Sequence, residues 1–173
     1  MLAVSIVVII ASLASHPVIR TFRDNRLGEA AENVRIVLAG SRLQAVDRDE
    51  DWQFRYEPGG THYVRVPWTQ SATTSAANSS GGRMSGTLSE GIQFSAGGEA
   101  ASGELSPEVL SGLPDESELS GLSWSAPVVF FPDGTSTSAF FEITDQYSGA
   151  REVTVRDLTG AVAVKRPSMT VRK

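Results

Sequence analysis

The chain changes its hydrophobic period twice, and each change marks a structural boundary. Met1 to Ser15 read MLAVSIVVIIASLAS, and no charged residue appears before Arg20. From Leu27 the pattern becomes one-sided: Leu27, Ala30, Ala31, Val34, Leu38, Ser41 and Ala45 recur at steps of three and four, which is one face of a helix. Arg26, Glu29, Glu32, Arg35 and Arg42 occupy the other face. Glu32 and Arg35 are spaced to pair, worth about 0.3 kcal/mol. The pattern predicts one long helix from about Leu2 to about Val46, apolar all round in its first half and amphipathic in its second. Asp47, Asp49, Glu50 and Asp51 follow. Carboxylates oppose the dipole at a helix C-terminus, so the helix is expected to stop before Asp47.

After Val46 the period falls to two. Trp52, Phe54 and Tyr56 alternate with polar residues, Glu57-Pro58-Gly59-Gly60 interrupts, and Tyr63-Val64-Arg65-Val66 follows. This predicts a β-hairpin whose second strand ends at Pro67. Residues 69–87 are rich in Ser, Thr, Ala, Gly and Asn and are read as a mobile loop. Gly91 to Phe94 is a short strand, and 95–123, with Pro107 and Pro114, is a second mobile loop. Strands are then expected at Pro127–Phe131, Ala139–Ile143, Glu152–Arg156 and Ala161–Lys165. The short turns between them predict consecutive antiparallel pairing.

The uncharged start spans about 28 Å as a helix, close to the thickness of a bilayer core. It reads as a membrane stem, with Leu2, Val4, Ile6, Val7, Val8, Ile9, Ile10 and Leu13 facing lipid and Pro17 at its end. A secretory signal peptide and a buried core helix are the alternatives. Against the signal peptide, no Lys or Arg precedes the apolar run, and the pattern continues in phase into the next helical segment.

Composition narrows the chemistry. The 173 residues contain no cysteine and two histidines, His16 and His62, which excludes thiolate metal sites, cysteine nucleophiles and histidine-rich centres. His62 lies in a predicted strand and is read as pointing to solvent. No serine sits in a Gly-x-Ser-x-Gly elbow and no phosphate-binding glycine loop occurs. The acidic run at 47–51 fails as an EF-hand, because Trp52 and Pro58 fall where Gly and Glu belong. No enzyme activity, metal or cofactor is therefore expected. The net charge of −5 is divided unevenly: residues 151–173 carry +4 and residues 1–150 carry −9. Lys165, Arg166, Arg172 and Lys173 are the candidate DNA contacts, although the acidic remainder opposes a polyanion.

The stem, its proline and the amphipathic extension resemble the N-terminus of type IV pilin-like proteins. Phe130-Phe131-Pro132-Asp133-Gly134-Thr135 and Thr154-Val155-Arg156-Asp157-Leu158-Thr159-Gly160-Ala161-Val162 resemble the C-terminal half of the H-type minor pseudopilins and FimT-like minor pilins. The resemblance covers roughly 1–66 and 126–166. It implies an α+β fold in which a long N-terminal helix packs on an antiparallel β-sheet head. It also implies that the family's leader, cleavage site, glutamate and methylated N-terminus lie upstream of Met1. The expected organisation is a helix over 1–46, with the stem at about 1–19, and a β-rich periplasmic head over 47–173. The function implied is that of a structural subunit of a type II secretion or type IV pilus-like filament, single-pass in the bacterial inner membrane. Its partners would be other pilin-like subunits, an inner-membrane assembly platform and membrane lipid. A DNA-binding minor pilin used in uptake, and a secreted or anchored β-domain with an ordinary signal peptide, are the alternatives.

Overall fold

In the computed structural model, which describes residues 2–68, 82–97 and 103–167 and the side chains from Asp24 onward, the helix is continuous. It runs as α1 over Leu2–Arg48, about 70 Å. Every residue of the stripe from Leu27 to Ala45 named above is buried, and Glu32 accepts from Arg35 Nε at 2.8 and 2.9 Å. The helix passes the point where it was expected to stop, and Asp47 lies inside its last turn. Two features close that end. Asp49 adopts φ 54°, and the Glu50 N–H donates to the Ala45 carbonyl at 3.3 Å, capping a terminal carbonyl. Arg48 supplies a cation in the last turn and lies 5.7 Å from the Trp52 ring. Asp47, Asp49 and Glu50 are exposed and screened by water, so their dipole cost is small.

The head contains, in chain order, β1 (Trp52–Tyr56), β2 (His62–Pro67), β3 (Met84–Thr87), β4 (Ile92–Phe94), α2 (Pro107–Leu110), α3 (Glu116–Leu119), β5 (Val128–Phe130), β6 (Ala139–Asp145), β7 (Ala150–Val155) and β8 (Val162–Lys165). These strands form two antiparallel four-stranded sheets, ordered β3-β2-β1-β5 and β4-β6-β7-β8. The hairpin β1–β2 pairs in register from Trp52↔Pro67 to Tyr56↔Tyr63. Its turn also joins the sheets: Gly59 N–H donates to the Phe94 carbonyl at 3.0 Å, and Phe94 N–H donates to the Gly60 carbonyl at 2.9 Å.

Alternation places Trp52, Phe54, Tyr56 and Tyr63 on one side of the first sheet and Phe94, Phe141, Ile143, Val153 and Val155 on the facing side of the second. The α1 stripe packs into this same core. Its centre is aromatic, with Tyr56 at 4.7 Å from Phe141 and 4.8 Å from Phe94 between ring centroids. Rings at such spacings add about 1 kcal/mol per pair beyond the area they bury.

The structure corrects three further expectations. Consecutive pairing fails at β5, which pairs with β1 and not with β6. The Phe131–Thr135 turn reverses the chain, with Gly134 N–H donating to the Phe131 carbonyl at 2.9 Å, and Ser136 to Ser138 then carry it across to the other sheet. Thr137 compensates the outer edge of β5, accepting from Val129 N–H through Oγ1 at 2.9 Å and donating its own N–H to the Val129 carbonyl at 2.8 Å. Of the segment read as loop 69–87, residues 84–87 form β3 against β2, and 69–81 lie outside the described residues. Of the segment read as loop 95–123, residues 103–123 carry α2 and α3 and make a second core. Leu105, Leu110, Leu113, Leu119 and Trp124 pack on Val64 and Val66, which face away from the first core. Residues 98–102 lie outside the described residues.

Candidate functional site

Among the described residues no group of three His, Cys, Asp or Glu is placed to hold a metal ion. His62 does not point to solvent as expected. Its Nδ1 lies 2.8 Å from Glu57 Oε2, and that oxygen also accepts the Thr61 N–H at 3.2 Å. The pair braces the β1–β2 turn from within.

What the fold does build is a long helix bound to a β head by packing and by polar attachments; an exposed one runs from Arg26 Nη2 to the Glu90 carbonyl at 3.4 Å, and two are part-buried. The first is at Asp24, one turn before Leu27 on the buried side of α1. Its carboxylate accepts from Arg151 on β7, and from Arg166 just past β8 at 2.6 Å. The Arg151 side chain is 11% exposed and that of Asp24 41%. The hydrogen bond from Arg151 holds the Asp24 carboxyl below the usual carboxylate range, opposed in part by burial and aided by the charges of both arginines. The second attachment is Arg42, whose Nε donates to the Gly134 carbonyl at 3.0 Å. Gly134 and Gly160 both have positive φ, 83° and 56°, and a Cβ on Gly160 would sit 2.8 Å from the Gly134 oxygen. The Pro-Asp-Gly and Thr-Gly turns are thus packed against each other beside Arg42. Ser136 fastens them, donating its N–H to the Asp157 carbonyl at 2.8 Å and its hydroxyl to the Arg156 carbonyl at 3.0 Å.

The reading of the chain placed Arg42 on the polar face without a partner and missed the pairing of Asp24 with Arg151, yet these last two each leave a signal in it. Asp24 extends the buried row 24, 27, 31, 34, 38 by one turn, and Arg151 extends the core-facing alternation 151, 153, 155. A charge on a buried row requires a partner. On its open side α1 exposes Ile36, Leu43 and Val46 by about half of each residue: 56%, 57% and 49%. With Ala39, these lie at the three- and four-residue steps of a helix-packing seam.

The four candidate DNA contacts are not brought together as a free cationic patch. Lys165 is exposed, Arg166 is engaged with Asp24, and Arg172 and Lys173 lie outside the described residues. The stem residues Leu2, Val4, Ile6, Val7, Val8, Ile9, Ile10, Leu13 and Pro17 have their backbone in α1, but their side chains lie outside the described set. Among the described residues no helix is long and apolar enough to cross a membrane.

No protein-family model matches the chain, and no curated protein does. Among solved structures, two of the minor pseudopilin EpsH from the type II secretion system of Vibrio cholerae are similar. Each has a TM-score of 0.51 and 15% identity, covering 83% and 85% of this chain and 98% of EpsH. An identity that low speaks to the fold: a long N-terminal helix packed on antiparallel sheets, the pilin-like α+β fold of a minor pseudopilin.

Proposed function

We propose that the chain is a minor structural subunit of a type II secretion or type IV pilus-like filament, acting in protein secretion or filament assembly. The observation that carries this reading is the fold shared with a type II secretion minor pseudopilin across most of both chains. The uncharged run before Arg20 supports it. On this reading the run holds the protein in the bacterial inner membrane as a single pass, with the head in the periplasm. Assembly then transfers the stem from lipid to a bundle of like helices. This exchanges one apolar environment for another and needs no catalytic group. The partners are other pilin-like subunits and the inner-membrane platform that assembles them.

The DNA-uptake alternative is weaker on electrostatic grounds. Of the six cations in residues 151–173, Arg151 and Arg166 are committed to Asp24. The rest of the chain carries −9, which repels a polyanion.

Photo-crosslinking tests the filament reading. A photoreactive residue at Ile36 or Leu43 of the full chain, in cells expressing the adjacent genes, should capture other pilin-like subunits, and deletion of the gene should impair secretion or piliation. Absence of such adducts with secretion and piliation intact would overturn it. An ordinary basic signal sequence encoded in frame upstream of Met1 would favour the secreted β-domain.

A further inference from the structure

The end of the head nearest the uncharged run is built from two turns beside α1. The β6–β7 turn, Gln146 to Gly149, lies just before Arg151, whose side chain reaches Asp24. The chain ahead of β4 runs alongside it, and the Gln146 N–H donates to the Gly91 carbonyl at 3.2 Å. Arg26 forms the third side, held to the Glu90 carbonyl at 3.4 Å. Between them lies an open cleft lined by Arg26, Glu90, Ile92, Asp145, Gln146 and Tyr147. Tyr147 is 54% exposed, yet its turn is braced. Asp145 Oδ1 accepts the N–H groups of Tyr147 at 2.9 Å and Gly149 at 2.6 Å, and the Asp145 N–H donates to the Gly149 carbonyl at 3.0 Å. Those bonds turn the Asp145 carboxylate toward its own backbone. Among the described residues Arg26 has no ion-pair partner. The end therefore presents a cation and an exposed aromatic on a fixed support.

The height of this cleft follows from the helix rise. The uncharged run ends at Ile19, and Arg26 is about 10 Å farther along α1. Helix side chains lean toward the N-terminus, which brings the guanidinium lower by part of a turn. The headgroup layer on each side of a bilayer core is about 5–8 Å deep. With the run spanning the bilayer, the cleft meets that layer. The acidic run at 47–51 lies about 30 Å beyond Arg26 and so stands well clear of the lipid phosphates. The chemistry fits the level: an arginine takes a phosphate oxygen, and a tyrosine favours a boundary with one apolar and one wet side.

We infer that this end of the head rests on the membrane surface, with Arg26 binding a phospholipid phosphate at the cleft and Tyr147 seated in the headgroup layer. The inference rests on the reading of the uncharged run as a membrane stem and adds a second contact to it. The stem sets the depth of the protein. The turn sets the rotation of the head about α1, because Arg26 and Tyr147 meet the lipid on one side of the helix.

The absence of cysteine makes the test direct. The full chain carrying Gln146→Cys, or Leu158→Cys at the other end of the head, is labelled with an environment-sensitive fluorophore and reconstituted into phosphatidylcholine–phosphatidylglycerol vesicles. A nitroxide on the lipid headgroup should quench the label at 146 at least about twofold more than at 158, which adjoins Arg42 about 24 Å farther along α1. Adding Arg26→Gln and Tyr147→Ala together should bring quenching at 146 down to the level at 158. Flotation of the unsubstituted chain with the same vesicles reads the stem separately. Equal quenching at the two positions in vesicles that carry the chain, or quenching at 146 indifferent to the paired changes, would overturn the inference and leave the stem reading standing. Failure of the unsubstituted chain to float would sink both. Ser148→Cys replaces Gln146→Cys if near-ultraviolet circular dichroism shows the latter unfolded, with the same outcomes read.

Discussion

Replacing Asp24 tests the attachment of α1 to the head where the structure commits most. Arg151 Nη2 bonds to it from a side chain that is 11% exposed, in a β7 position that otherwise faces the core. Breaking a buried pair by removing one partner costs about 3–5 kcal/mol, whereas an exposed pair is worth about 0–1 kcal/mol. Asp24 is 41% exposed, so water screens the pair and also remains available to Arg151 when the carboxylate is gone. The expected cost of Asp24→Ala therefore lies between the limits, about 1–2 kcal/mol. Arg166, 74% exposed, contributes a small part of that. For a chain of this size the loss lowers Tm by about 2–8 °C. A double-mutant cycle with Arg151→Met should return a coupling energy of about 1 kcal/mol or more, read from thermal unfolding of the detergent-solubilised chain by near-ultraviolet circular dichroism. The pH dependence carries its own sign. The folded-state pKa of Asp24 is depressed, so its contribution is full above the unfolded value of about 3.8–3.9 and disappears as pH falls through the lower folded value. The gap between wild type and Asp24→Asn should be constant from neutral pH down to about 5 and then close. A coupling below about 0.3 kcal/mol, or a gap that widens in acid, would refute the reasoning.

Gly160→Ala should cost about 1–3 kcal/mol, because the position has φ 56° and its Cβ would meet the Gly134 oxygen; thermal unfolding reads it directly. Leu110→Ala should cost about 2–5 kcal/mol through the second core on Val64 and Val66; a change within 0.5 kcal/mol would mean that 103–124 does not pack as described. Limited proteolysis should cut within 69–81 before 103–124, since the latter buries Leu105, Leu110, Leu113, Leu119 and Trp124; early cuts near Leu110 would contradict this. The chain should not shift DNA at about physiological salt, and salt-sensitive binding lost on changing Lys165, Arg166, Arg172 and Lys173 to Ala would make DNA uptake the better reading.

By itself the sequence determined those features whose signal is local. The stripe from Leu27 to Ala45 is buried along its length because a 3.6-residue period allows only one face to meet a core. The β1–β2 hairpin follows from two alternating runs separated by Pro58-Gly59-Gly60, and β4, β6, β7 and β8 fall near their expected places for the same reason. The Pro-Asp-Gly and Thr-Gly motifs were legible as turns; that they pack on each other beside Arg42 was not, since their contact joins segments far apart in the chain. The short turns also account for the consecutive pairs β6–β7 and β7–β8, but tertiary structure alone decided the pairing of β5. A period of two records that a strand has an inside and an outside but carries no address for its neighbour, so β5 went to β1 and not to β6. The helix end at Arg48 was decided by the left-handed residue Asp49 and by screening of exposed carboxylates, which outweigh a dipole preference worth a fraction of a kcal/mol. The segment 103–124 looked like loop because its leucines are spaced among Gly, Ser and Pro without a period. They bury themselves only because the first sheet turns Val64 and Val66 outward, and that second face exists once the sheet has formed. Asp24, Arg151 and Arg166 meet for a related reason: Asp24 and Arg151 each obey a local row, and their encounter at the half-exposed junction between helix and sheet brings together segments that lie far apart in the chain.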